Sequence, residues 1–238
     1  MDGSEPYWLY GIHAVRAALS NPKRRVHRML CTRNALNRLD GVDLPEKLEE
    51  VDVRAINRLL GGDAVHQGMA LWVEPLETAT LDVAAKARVV LCLDHITDPH
   101  NVGAVLRSAV AFKADAVVTT RRHSASETGA LAKAASGALD LIDIVPVTNL
   151  SRAVGELKNM GFATAALDSG AAEPIDGLAP GPRWAFVLGA EGKGVRQGVA
   201  AACGRTVRIE APGALSSLNV SNAAAITLYE ISRRLLAN

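Results

Sequence analysis

The sequence predicts an α/β protein in which a parallel-sheet domain follows a smaller α/β unit. Three observations lead there. Strand-like runs at Val89–Leu93, Ala116–Thr119, Leu141–Val145, Ala163–Leu167, Trp184–Leu188 and Thr206–Ile209 alternate with alanine-rich helical stretches. That alternation is the pattern of a parallel sheet covered by helices on both faces. The chain changes character over residues 74–87, where Pro75 and Thr78-Ala79-Thr80 read as a linker running into a short helix. Finally, 238 residues with 49% hydrophobic and 21% charged side chains suit one large globular domain or two small ones.

Ahead of the linker, residues 9–20 predict a helix and Val26–Cys31 a strand. A helix around 34–39, a strand at Val51–Val53, a helix at 54–60 and a strand at Ala70–Val73 complete this unit. Its last strand is preceded by the turn residues His66-Gln67-Gly68, with Gly68 free to take a positive φ. The expected division is therefore residues 1–76 and residues 77–238.

Net charge is +1, which does not by itself announce a nucleic acid, and aromatics are only 4%. The distribution is more telling. Between Glu5 and Asp40 stand seven basic residues and no acid: Arg16, Lys23, Arg24, Arg25, Arg28, Arg33 and Arg38. From Asp40 to Asp52 six acids face Lys47 alone. A basic stretch on a near-neutral protein is the footprint of local phosphate contact, and its bland counterpart is a solvated helix face.

Cys31, Cys92 and Cys203 are odd in number and far apart, as expected of reduced core thiols. The six histidines form no ligand-spaced cluster, so no metal is expected. No apolar run reaches a membrane span and the N-terminus has no signal-peptide pattern, so the expected location is cytoplasmic.

Three stretches carry chemistry. After the first strand of the large domain comes Asp94-His95-Ile96-Thr97-Asp98-Pro99-His100-Asn101-Val102-Gly103-Ala104-Val105-Leu106-Arg107. A nucleotide-binding Rossmann domain would place a glycine-rich turn here, and there is none. Arg107 falls four residues beyond Gly103 on an otherwise apolar helix. After the fifth strand stands Gly189-Ala190-Glu191-Gly192-Lys193-Gly194. Beyond the sixth, Pro212 and Gly213 force a turn, and Ser216, Ser217, Asn219 and Ser221 lead into a helical run to Leu236. One of these polar residues suffices as an N-cap; four exceed that need.

These stretches, in order and at their spacing, resemble the three signature motifs of the SpoU branch of the SPOUT RNA methyltransferases. That family transfers methyl from S-adenosylmethionine to a ribose 2′-oxygen. The resemblance implies a SPOUT catalytic domain over 77–238 with a C-terminal trefoil knot within about 185–222, and a homodimer. Tyr10-Gly11-Ile12-His13-Ala14-Val15 and His66-Gln67-Gly68 are similar to fragments of the L30e-like substrate-binding domain found in part of the family. This assigns residues 1–76 to RNA binding.

Carried over position by position, the catalytic set is Arg107, Asn101, Glu191, Ser217 and Asn219. The cofactor contacts are Gly189, Ile209 and Leu218, Gly189 giving the cofactor close access to backbone. Arg107 would act on the ribose hydroxyl as base or as phosphate clamp, and arginine's high pKa makes it a poor base. The L30e-like unit points to a guanosine of 23S rRNA as target, with tRNA as runner-up. The competing readings are a non-catalytic RNA-binding or ribosome-assembly protein, which would have lost the polar motif residues, and a nucleotide-dependent oxidoreductase, which would need the missing glycines.

Overall fold

The computed structural model describes residues 5–178, 181, 183–214 and 217–236, with side chains as far as Arg233. They form two compact units. The first is the N-terminal segment to Glu77 together with Ser126–Leu141; the second is Thr78–Ala125 together with Ile142 onwards. The first compact unit thus contains Ser126–Leu141 in addition to the residues before the expected boundary at 76/77.

The first unit is built on four strands: β1 (Tyr7–Tyr10), β2 (Val26–Cys31), β3 (Leu48–Glu50) and β4 (Met69–Val73). Their order is β1-β4-β2-β3, antiparallel except for the β2–β3 pair. Helices α1 (Ile12–Ser20), α2 (Arg33–Leu36) and α3 (Val53–Leu60) connect them. Sequence periodicity does not separate β1 from α1. Gly11 does, turning the chain at φ +91°. The strand expected at Val51–Val53 lies three residues earlier, because Asp52 caps α3 by accepting the Ala55 N–H at 2.7 Å.

The added segment carries α5 (Gly129–Ala135), capped by the Thr128 hydroxyl. It sits so close that a Cβ on Gly129 would stand 2.3 Å from the Trp8 carbonyl oxygen. One on Gly137 would lie 2.9 Å from the His13 carbonyl oxygen and from Ala17. Polar bonds secure it as well. Arg24, predicted to contact phosphate, is buried instead, with Nε 2.8 Å from Asp140 and Nη1 2.6 Å from Glu127. Exposed Arg16, Lys23, Arg25, Arg28, Arg33 and Arg38 remain on this unit's basic stretch.

The His66-Gln67-Gly68 turn is an internal tie. The His66 ring is buried, Nδ1 accepting from Gly68 N–H at 3.0 Å and Nε2 lying 2.8 Å from Asn57 Oδ1. Burial and the Lys133 charge hold its pKa below the usual histidine value. Gln67, at φ +56°, accepts from Ile12 N–H at 3.1 Å and from Lys133 Nζ at 2.8 Å.

In the second unit seven strands pair in the order β7-β6-β5-β10-β8-β11-β9, every pair parallel. They are β5 (Val89–Asp94), β6 (Ala116–Thr120), β7 (Asp143–Val147), β8 (Ala163–Leu167), β9 (Glu173–Pro174), β10 (Trp184–Gly189) and β11 (Arg205–Arg208). All of β5 is buried, as two-sided covering requires. Val90 and Cys92 join Val118, Val145 and Val187 in a core completed by Leu150, Val154 and Leu157 of α6 (Leu150–Asn159) and by Val199 of α7 (Gln197–Ala200). Helices α4 (Pro99–Ala111) and α8 (Val220–Leu236) pack on one another, α4 against β6 and α8 against β10. Along α8, Ala224, Leu228 and Ile231 are buried at helical spacing, and the Leu235 side chain lies outside the described residues. The strand expected at 141–145 begins two residues later, leaving Leu141 exposed.

Arg183 enters β10 as a structural clamp, donating to the carbonyls of Ala84, Ala85, Ala87 and Met160 and stacking 4.1 Å above Phe162. Cys31, Cys92 and Cys203 are free thiols; burial raises all three pKa values, Cys31 and Cys203 to about 11. Among the described residues no helix is long and apolar enough to cross a membrane.

Candidate active site

Parallel strands deliver their C-terminal ends to one edge, and a crevice opens there where connections diverge to opposite sides. In this sheet the divergence falls between β5 and β10. Asp94 ends β5, register partner to Gly189 at the end of β10. Its carboxylate is 1% exposed and accepts from Arg196 N–H at 2.9 Å, Nε at 2.8 Å and Nη2 at 2.7 Å. One buried acid thus fixes the far end of the loop that begins at Gly189. Sequence reasoning passed over both residues, although a carboxylate closing an apolar strand was the available signal.

The loop folds back on itself. Gly194 N–H donates to the Ala190 carbonyl at 2.8 Å, and Gly192 and Gly194 take φ values of +75° and +65°. A Cβ on Gly189 would stand 2.0 Å from Gly194 C and 2.2 Å from Val195 N. The close approach at Gly189 is therefore made by the protein's own backbone, where a bound cofactor was expected to make it. Gly189→Ala should displace the loop, lower cofactor affinity roughly tenfold or more and reduce thermal stability, overpacking costing about 1–3 kcal/mol. Calorimetric titration and a thermal melt check this.

Beside the loop lies a cavity of about 250 Å³. Its walls come from Leu167–Ser169 after β8, Leu188–Val195, Ile209 after β11, and Ser217, Leu218, Val220 and Ala223 at the entry to α8. All three predicted cofactor contacts, Gly189, Ile209 and Leu218, line it, as do Glu191 and Ser217. Such a lining fits S-adenosylmethionine. Leu188, Ile209, Leu218 and Val220 offer apolar surface to a purine, while Asp168 and Glu191 offer carboxylates for hydroxyl or amino groups.

At its margin the three motifs meet. Asn101, in the first turn of α4, donates to Glu191 Oε1 at 3.1 Å. Asn219 Nδ2 donates to Asn101 Oδ1 at 3.0 Å and to Glu191 Oε1 at 2.5 Å. The other face of the Asn219 amide, Oδ1, accepts from Ser221 N–H at 2.8 Å and Ser221 Oγ at 2.6 Å. Asn219 is thus both the cap of α8 and the hub of the cluster. Ser216, also singled out in the sequence, lies outside the described residues. Asp98 caps α4 by accepting His100 N–H at 3.0 Å, and Pro99 opens the helix. Arg107 lies two turns beyond Asn101, exposed, while Val102, Val105, Leu106 and Ala109 are buried. Among the described residues no cluster of histidine, cysteine and acids could hold a metal ion.

The parallel α/β domain has the fold of solved SPOUT-type RNA methyltransferases. Two protein-family models match: SpoU rRNA Methylase family over residues 88–229, and RNA 2′-O ribose methyltransferase substrate binding over residues 8–79. The chain belongs to the SpoU rRNA methylase family, and is an S-adenosylmethionine-dependent RNA ribose 2′-O-methyltransferase. It is 34% identical to the 23S rRNA (guanosine-2′-O-)-methyltransferase RlmB of Xanthomonas campestris pv. campestris over 241 residues, 96% of this chain and 97% of the relative. The SpoU methyltransferase AviRb of Streptomyces viridochromogenes, solved with AdoMet, superposes with TM-score 0.81 at 20% identity, covering 98% of this chain and 91% of that one. An A. aeolicus TrmH/SpoU tRNA modifying enzyme matches 66% of this chain and 81% of its own, with TM-score 0.57 and 23% identity.

Proposed function

We propose that this enzyme methylates the ribose 2′-oxygen of a guanosine in 23S rRNA, with tRNA as the runner-up. Full-length similarity to a 23S rRNA guanosine methyltransferase, both domains included, supports that choice. The hydrogen-bonded convergence of Asn101, Glu191 and Asn219 from three separate motifs carries the assignment of the site.

S-adenosylmethionine, when bound, supplies the methyl group in an in-line displacement that needs no metal. Gly189, Ile209 and Leu218 would hold it by backbone and apolar contact. Asn101, Glu191 and Asn219 hold each other rigid at the cavity margin and, with Ser217, present donors and acceptors to the acceptor ribose, turning a bimolecular encounter into an oriented one. Arginine is a poor base, so Arg107 would act as a cation, holding a phosphate beside the target ribose and stabilising the negative charge that develops on the 2′-oxygen while its proton passes to solvent water.

The same reading gives the second unit a trefoil knot and the molecule a homodimeric state. Sheet order supports the knot, since β10 returns between β5 and β8 before β11 passes beyond β8. Exposed Ile226 and Tyr229 on α8 support a partner surface. The first unit serves as the RNA-binding domain.

Mapping ribose methylation in RNA from a deletion strain and its parent tests the target. Loss of one 2′-O-methylguanosine in 23S rRNA is expected. An unchanged 23S map with a tRNA methyl group missing would overturn the choice in favour of tRNA.

A further inference from the structure

The cofactor cavity occupies one side of the sheet edge, at the ends of β10, β8 and β11. On the other side of β10 come β5 and then β6, one and two strand spacings away, about 5 and 10 Å. The loop leaving β6 is cationic and the loop leaving β5 brings a histidine beside it. His95 directly succeeds β5, and Arg121, Arg122 and His123 succeed β6, both arginines and His123 exposed. The two imidazoles lie 4.8 Å apart, tilted at 44°. Both histidines hold the left-handed backbone region, at φ +57° and +60°. Strain of that kind in non-glycine residues concentrates at functional sites. The neighbouring acids are already engaged, Asp94 with Arg196 and Asp98 in capping α4.

From a ribose held by Asn101, Glu191 and Asn219, the ends of β5 and β6 offer a path for the adjoining strand on the side away from the cavity. Rings and guanidinium groups together suit an unpaired strand, whose phosphates take the charge and whose bases can stack. We propose that Arg121, Arg122 and the His95–His123 pair seat the phosphates of a single-stranded RNA segment adjoining the methylated nucleotide. This rests on the RNA methyltransferase reading and adds the path of the substrate to it.

The probe is a fluorescein-labelled 12-nucleotide uridine RNA, titrated by anisotropy with the full chain over a range of salt. Arg121→Gln/Arg122→Gln should weaken binding about tenfold at low salt. The slope of log K against log salt should fall by about 1.4, each single-strand phosphate contact contributing about 0.7. His95→Asn/His123→Asn, chosen because asparagine tolerates the left-handed region, should weaken binding several-fold. Calorimetric S-adenosylmethionine affinity, unchanged in both variants, reports that they are folded. Wild-type affinity and slope in both would overturn the proposal, and a loss confined to the arginine pair would overturn the part given to the imidazoles. Methyl transfer by the wild-type protein to RNA from the deletion strain tests the activity separately. Transfer alongside unchanged RNA binding in the variants sinks the strand path alone.

Discussion

Arg107→Ala is expected to lower methyl transfer about 100- to 1000-fold while leaving S-adenosylmethionine affinity within about twofold of wild type. The asymmetry comes from position. Among the described residues, those lining the cavity come from the ends of β8 and β10, the loops after β8, β10 and β11 and the start of α8, and Arg107 is not one of them. It projects from α4, the helix whose first turn supplies Asn101 to the polar cluster. The magnitude is that measured when one preorganised stabiliser of developing negative charge is removed, about 2.7–4 kcal/mol in the barrier. Arg107→Lys should recover little, because a point charge does not reproduce the planar fork that fits a phosphate. Single-turnover methylation with saturating cofactor, alongside calorimetry, separates the two quantities. Near-normal turnover by folded Arg107→Ala would remove Arg107 from the chemistry.

How much of the molecule was readable from its sequence depends on the range of the interaction. Five of the six strands predicted for the seven-stranded sheet fell within a residue or so of their observed places, because buried parallel strands write themselves as apolar runs, and the two-residue β9 was not foreseen. Asn101, Glu191 and Asn219 were legible as motif members, yet their mutual hydrogen bonds were not. They stand 90 and 118 residues apart in their closest pairings with Asn101, and no spacing rule spans that distance. Gly189 was legible as a point of close approach, but its packing against the Gly194 and Val195 backbone was not, because glycine does not say what approaches. The packing of Ser126–Leu141 on the first unit was not legible either. Its alanine-rich helix looks like the others, and only the packing of Gly129 on Trp8 and of Gly137 on His13 reveals which unit it belongs to.

That segment sets the other large expected effect, which concerns stability. Arg24→Met should destabilise the first unit by about 3–5 kcal/mol, the usual consequence of leaving buried charges without their partner. The Arg24 side chain is fully buried, Asp140 is 1% exposed and Glu127 17%. Its Nη1 also donates to the Glu74 carbonyl at 2.9 Å, and Glu127 accepts from the Tyr7 hydroxyl at 2.8 Å and from Leu76 N–H at 3.2 Å. Burial and the Glu127 charge raise the Tyr7 pKa, so the phenol stays neutral and adds no further negative charge to the cluster. For a domain of this size each kcal/mol moves the midpoint by about 4–8 °C, so the first unit should melt more than about 12 °C early. Pairing the change with Glu127→Gln and Asp140→Asn should restore much of the loss, since neutral amides no longer carry an unpaired charge into the core. Cofactor affinity at 25 °C should stay near wild type, because the cavity belongs wholly to the second unit. Differential scanning calorimetry of the single and triple variants decides it: a wild-type melting profile for Arg24→Met would mean that Gly129 and Gly137 packing alone holds Ser126–Leu141 in place.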